Sequence, residues 1–136
     1  MMDGSSAPLR LDRNLVHLGL GATAVPQPEF TGMEWYAGYS ERTESDGAEG
    51  RLVSMHTFGE SWDVWEMHPN GAEVVLCTAG RIVLHQDDGT ATTTTTLGPG
   101  EYAINQPGVW HTADVTEGDA TALFITAGMG TEHRPR

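Results

Sequence analysis

Residues 65–80 read WEMHPNGAEVVLCTAG. Apolar and small residues dominate, yet Glu66, His68 and Glu73 stand among them, and titratable groups on a strand-like run need a reason. Read as two strands, 62–68 and 73–79, joined by Pro69-Asn70-Gly71-Ala72, the segment puts His68 opposite Glu73 and Glu66 opposite Val75. Residues two apart on a strand share a face, so Glu66, His68 and Glu73 point one way, with cross-strand Cβ atoms ~5 Å apart. Val64, Val75 and Cys77 fall on the same side, which makes it an interior face. The other side gathers Trp65, Met67, Val74 and Leu76. An apolar patch of this kind marks an interface, and its burial contributes roughly 25 cal/mol per Å², so a homodimer is expected; the alternative is that segment 14–40 covers the patch within one chain.

Working outward, residues 100–115, GEYAINQPGVWHTADV, read as a second hairpin. Strands 101–105 and 110–115 around Gln106-Pro107-Gly108-Val109 place Ile104 opposite His111 and Tyr102 opposite Ala113, so that Tyr102, Ile104 and His111 share a face. With both hairpins lining one barrel, His111 reaches the Glu66, His68 and Glu73 triangle. Two imidazoles and two carboxylates suit Fe(II), Mn(II), Zn(II) or Ni(II), and ligand type does not select among them. Without an ion, two carboxylates crowding an apolar face raise at least one carboxyl pKa, which makes a candidate general acid or base. Three readings follow: a divalent metal held by Glu66, His68, Glu73 and His111; a metal-free acid–base pocket; or a structural hydrogen-bonded network. As catalytic candidates, Glu66 is a ligand or a general base, and Tyr102 donates a hydrogen bond to developing negative charge.

At these residues the chain resembles the cupin superfamily. The first cupin motif is similar to Glu66-x-His68, four residues, Glu73, six residues, Gly80, with Glu66 where most metal-binding cupins carry a histidine. The second is similar to Gly100, five residues, Gln106-Pro107-Gly108, two residues, His111. Gln106 stands in for the usual proline, Val115 for the usual late asparagine, and the opening glycine is displaced by one, at Gly59. The resemblance spans 59–115. It implies an all-β fold, a small antiparallel double-stranded β-helix or jelly-roll barrel, with a metal at the ligand cluster and often a dimer.

Length and charge bound the rest. A chain of 136 residues fits one domain that buries roughly two-thirds of its unfolded surface. Turn signals recur at Asp46-Gly47, Asn70-Gly71, Asp88-Gly89, Gly98-Pro99-Gly100, Pro107-Gly108 and Glu117-Gly118-Asp119, with short runs of β-branched and aromatic residues between them, the pattern of a sandwich or barrel. The organisation expected is an N-terminal arm, 1–13, disordered or extended; one barrel domain, 14–130; and a frayed tail, 131–136. Segment 30–42 is open between helix and strand, and Thr92–Thr96 reads as strand. The start MMDGSSAPLR has no apolar h-region, and no apolar run is long enough to span a bilayer, so a cytoplasmic protein is expected. The net charge of -12 disfavours nucleic acid and anionic membranes. All seven basic residues are arginine, which rules out lysine Schiff-base chemistry and lysine-anchored pyridoxal phosphate.

The partner expected is a small organic molecule in the barrel, acted on by oxygenation, isomerisation or lyase chemistry. The alternatives are a binding or sensing module without turnover, and a metal-free isomerase or epimerase in which Glu66, Glu73 or His111 moves the proton. Arg51 and Arg81 are the nearest candidates for gripping an anionic ligand. Cys77 reads as a small core residue and Asp87-Asp88-Gly89 as a hairpin turn. His56 has uncertain facing; His17, His85 and His133 lack ligand spacing and read as ordinary.

Overall fold

The turn at Asp88-Gly89 organises the molecule. The computed structural model describes residue 4 and residues 6–136, and its strands are β1 (Val16–Gly19), β2 (Thr23–Pro26), β3 (Arg51–Phe58), β4 (Val64–Met67), β5 (Glu73–Ala79), β6 (Ile82–Asp87), β7 (Thr92–Leu97), β8 (Tyr102–Asn105), β9 (Trp110–Asp114), β10 (Ala120–Thr126) and β11 (Glu132–Pro135), with one α-helix, α1 (Trp35–Thr43). β6 and β7 form the tight hairpin, its turn held by the Asp87 and Asp88 carboxylates, which accept from the amides of Gly89, Thr90 and Ala91. From that fold-back the chain pairs in nested antiparallel fashion: β5 with β8, β4 with β9, β3 with β10. Rolling this long double ribbon makes two sheets, ordered β2-β1-β3-β10-β5-β8 and β11-β4-β9-β6-β7. This is the all-β double-stranded β-helix.

Rolling also explains where local reasoning about hairpins fails. β4 and β5 do not pair; they lie in opposite sheets, and Pro69–Ala72 is an arch between sheets rather than a hairpin turn. β8 and β9 are separated in the same way. Alternation still sends Glu66 and His68 to one face, so the inward side is as expected, but Glu73 meets them across the barrel interior.

The lower interior is apolar: Val75, Cys77, Ile82, Leu97, Ala113, Ala120, Ala122 and Phe124 form one buried cluster, with Phe58 and Trp62 packed against it. Cys77 is fully buried there, a core residue as its setting predicts. The turn into β6 requires a glycine. Gly80 has φ 71°, and a Cβ would run into the Asp119 carbonyl and lie 2.9 Å from the Ala120 Cα.

Segment 30–42 resolves as a turn at 30–34 followed by helix α1 from Trp35 onward. α1 packs through Trp35 on Leu15 and Leu52, with Phe30, Tyr36 and Tyr39 around them, and covers the barrel mouth rather than an outer sheet face. The expected arm at 1–13 lies partly outside the described residues; its visible end turns at Arg10, whose carbonyl accepts from the amides of Arg13 and Asn14.

The tail at 131–136 is not frayed. β11 pairs with β4 over Glu132–Pro135. Arg134 stacks over Trp65 and Trp110, at 5.2 and 4.5 Å from the ring centroids, and its Nη2 donates to Asp87 at 2.8 Å. Arg136 donates to the Trp62 carbonyl and to Asp114. These anchors, not hydrophobic pattern, order the strand, so composition alone concealed it. The expected patch of Trp65, Met67, Val74 and Leu76 is likewise not one surface: the first two lie on the five-stranded sheet, the last two on the six-stranded one. Among the described residues no helix is long and apolar enough to cross a membrane.

Candidate metal centre

One inward row crosses the five-stranded sheet. In register, His133 on β11 faces Glu66 on β4, Glu66 faces His111 on β9, and His111 faces Gln86 on β6. His68, one step beyond Glu66 on the same face, completes the group: Glu66, His68 and His111 each offer a ligand atom within 4.8 Å of the others. The six-stranded sheet supplies Glu73 opposite them, its Oε2 3.2 Å from His68 Nε2 and its Oε1 3.2 Å from His111 Nε2.

Glu73 is nearly inaccessible and fully engaged. Asn105 Nδ2 donates to its Oε1 at 3.0 Å and the Thr126 hydroxyl to its Oε2 at 2.6 Å. Burial alone would lift its pKa; His111 and His68 beside it more than offset that and hold the carboxyl below the usual carboxylate range. For His68, burial disfavours the imidazolium, but Glu73, with Glu66 adding, overrides it and raises the pKa above the ordinary 6.5.

The histidine nitrogens set what the cluster can bind. The Thr131 hydroxyl donates to the Gly128 carbonyl at 2.8 Å, so in its 2.7 Å contact with His68 Nδ1 it accepts, and the ring proton sits on Nδ1. In the neutral ring this leaves Nε2 as a lone-pair donor, the arrangement that outer-shell hydrogen bonds impose on metal-binding imidazoles. His68 Nε2 and both nitrogens of the 0 % exposed His111 have no hydrogen-bond partner among the described residues; the Glu73 contacts at 3.2 Å are electrostatic, outside hydrogen-bond alignment. An orphaned buried polar group costs about 1–3 kcal/mol. A divalent cation satisfies both Nε2 atoms at once, so the donor set fits one, with Glu66 as third ligand and Glu73 as fourth donor or charge partner.

Around the centre, Trp62 lies edge-on to His111 at 6.1 Å, and His56 packs against Phe30 at 5.1 Å, with Phe58 and Phe124 beside them. His56 therefore faces inward; its buried Nε2 also has no partner among the described residues, and burial, opposed in part by the charge of Glu66, lowers its pKa. Tyr36 on α1 is pushed up to about 12 by burial and by the charges of Glu66 and Glu73, so it remains a protonated phenol.

Tyr102 does not belong to the site. β8 pairs with β5, which sets Tyr102 opposite Leu76 on the outer face, where it is 64 % exposed. Ile104 faces out with it, and Asn105 takes the inward position. The phenol that feels the charges of Glu66 and Glu73, besides its own burial, is Tyr36, from a segment whose sequence left its structure open. Arg51 and Arg81 are both exposed, and neither lines the interior. His133 was hidden in a short terminal segment; its signal is the alternation of β11 against β4, visible only once the pairing is known.

Fold and site together define a double-stranded β-helix protein with a candidate metal centre. The sequence profile of the Cupin domain matches residues 54–128, more than half of the 136-residue chain, and the chain belongs to the cupin family. Among solved structures, it is similar to an uncharacterized conserved protein with a double-stranded beta-helix domain from Klebsiella pneumoniae subsp. pneumoniae MGH 78578, at 21% identity and TM-score 0.53, covering 63% of this chain and 76% of that one. It is also similar to oxalate oxidase, at 14% identity and TM-score 0.51, covering 60% of this chain and 44% of that one, and to recombinant oxalate oxidase in complex with glycolate, at 14% identity and TM-score 0.52, covering 60% and 45%. The chain thus spans under half the length of the oxalate oxidase chains, and the likeness is one of fold. No curated protein matches the chain.

Proposed function

We propose that this cupin binds one divalent first-row metal ion through Glu66, His68 and His111, with Glu73 as fourth donor, and acts on a small organic molecule at the barrel mouth. The observation that carries the reading is the pair of buried Nε2 atoms, on His68 and His111, left without hydrogen-bond partners among the described residues and set beside two carboxylates. Fe(II), Mn(II), Zn(II) and Ni(II) all suit two imidazoles and carboxylate oxygens. When bound, such an ion polarises a carbonyl, carboxylate or hydroxyl oxygen of the ligand.

The chain's own groups divide the remaining work. Glu66 is the most exposed member, its side chain 26% accessible against 0% for His111 and 5% for Glu73, so the ligand approaches past it. In the alternative arrangement, with Glu66 off the ion, that position suits it to take a C–H or O–H proton as general base. Tyr36, protonated, donates to negative charge developing on the ligand, and the aromatic wall of Phe30, Phe58 and Trp62 keeps bulk water from the centre.

The test is elemental analysis of protein purified without a metal-affinity tag, beside His111→Ala. Near-stoichiometric metal in the wild type and background levels in the variant support the ligand set; metal that persists in His111→Ala sinks it. A screen of small enols, diketones, keto acids and sugar derivatives, with and without oxygen, then separates enzyme from sensor: binding without turnover leaves a sensing module.

A homodimer is proposed through the outer face of the six-stranded sheet. Registered side by side there are Val53, Ile125, Val74 and Ile104 in one row and Met55, Leu123, Leu76 and Tyr102 in the next. An uncharged, two-row apolar face on a chain of net charge -12 is where two copies associate without charge repulsion. Light scattering is expected to give twice the 14.6 kDa chain mass, and Leu123→Glu to give a folded monomer. A wild type that scatters as a single chain at micromolar concentration overturns the dimer.

A further inference from the structure

We infer that His133, on the C-terminal strand, is a positioning residue for the metal centre: it clamps the Glu66 carboxylate in the orientation that lets it bind the ion. This rests on the metal reading above and deepens it.

The argument starts from Glu66. Where the cupin pattern has a rigid imidazole, this chain has a side chain with three rotatable bonds, and immobilising a Glu costs up to about 2 kcal/mol of rotamer freedom. A carboxylate whose side chain is 26% accessible, the most exposed of the group, needs a second anchor to remain among the ligands. The structure provides one. His133 lies directly opposite Glu66 in the β11·β4 register, and its Nε2 is 3.0 Å from Glu66 Oε1. With Nε2–H donating, one carboxylate oxygen is tied and the other is left for coordination. Glu66 thus lies between His133 on one neighbouring strand and His111 on the other.

The anchor is itself held. On the opposite face of β11, Arg134 stacks on Trp65 and Trp110 and bonds Asp87, and beyond the strand Arg136 bonds the Trp62 carbonyl and Asp114. Alternation along the strand therefore uses one side for attachment and turns His133 to the site. An exposed histidine–carboxylate pair contributes only about 0–1 kcal/mol to stability; such a contact has more effect as an outer-shell partner, where its loss typically costs 10–100-fold in metal affinity.

The experiment titrates Co(II) into metal-free wild type and into His133→Ala, His133→Gln and His133→Leu, reading affinity and the visible d–d spectrum. Gln keeps an amide N–H near the position of Nε2; Leu keeps bulk and no donor. Expected are ~10–100-fold weaker binding and a changed spectrum for Ala and Leu, with Gln close to wild type. Affinity and spectrum unchanged in Ala, even with a lowered melting temperature, assign His133 to the strand's stability alone and overturn the inference; so does Leu binding like wild type, or Gln as weak as Ala. His111→Ala is run alongside: if Co(II) binding survives it, the metal reading itself has failed, whereas loss there with no effect at position 133 removes only the clamp.

Discussion

Two buried histidine centres stand at different places in this molecule, and they differ in one respect. His17 on β1 is 5% exposed, with Nδ1 2.7 Å from the Tyr39 hydroxyl and Nε2 2.6 Å from Asp46. A Cβ on Gly50 would come within 2.9 Å of its ring. It ties β1 to α1 and to the turn before β3, and every polar atom is used. The His68–His111 centre is as well buried and as close to a carboxylate, yet three of its four ring nitrogens lack partners among the described residues. Burial and a neighbouring acid therefore do not identify a functional histidine. Hydrogen-bond accounting separates the two centres, because a buried donor or acceptor left unpaired is disfavoured unless something else binds it.

The sharpest way to break this comparison is Glu73→Ala. It strands the Asn105 amide and the Thr126 hydroxyl and removes the charge facing both imidazoles, and it is expected to cost about 3–5 kcal/mol in urea denaturation of the metal-free protein. A cost near that of an ordinary surface substitution means that the network is not held together through Glu73.

The two centres should then separate cleanly by variant. His17→Ala leaves Asp46 and the Tyr39 hydroxyl unpaired and is expected to lose about 1–3 kcal/mol of stability with metal content unchanged. His111→Ala opens a cavity and leaves the buried Glu73 carboxylate less compensated, so it too costs stability, but unlike His17→Ala it is expected to bring metal to background in elemental analysis. Metal content that changes alike in the two variants erases the distinction.

A pH series sharpens it further. The raised pKa of His68 contributes stability that is fully present below the ordinary 6.5 and is lost as pH rises through the higher folded value. The depressed pKa of Glu73 contributes stability present above the ordinary 4.5 and lost as pH falls through the lower folded value. For these two groups, metal-free stability is therefore highest between the two ordinary values. Glu73→Gln should flatten both limbs. Metal affinity should fall with acidification, since the proton and the ion compete for His68 Nε2; affinity independent of pH through this range argues against His68 as a ligand.

The smallest effect is expected from Tyr102→Phe, which touches only the outer sheet face and should change neither metal affinity nor any turnover. Tyr36→Phe is its counterpart and should lower turnover while sparing metal binding. A metal or rate defect in Tyr102→Phe would return that residue to the site.

The strand alternation that brings Glu66 and His68 to one side, the interior placement of Glu73 and Cys77 and the hairpin at Asp88-Gly89 follow from the sequence alone, because each rests on periodicity of two or on turn chemistry that neighbours in the chain decide; the requirement for Gly80 does not, since the atoms a Cβ would meet there belong to Asp119 and Ala120. Which strand pairs with which does not. The nested pairing about Asp88-Gly89 joins residues far apart in sequence, and it alone sets Glu66 against His111, turns Tyr102 outward against Leu76, and moves Val74 and Leu76 to a different sheet from Trp65 and Met67. Tertiary structure also decided the surroundings of residues with no local signature: α1 packs Tyr36 against Phe30 and Trp35, and His133 meets Glu66 through a strand held by stacking of Arg134 on two tryptophans. The physical reason is the same in each case: a strand's own sequence sets which side chains share a face, while the partner strand and the sheet it joins set what that face meets.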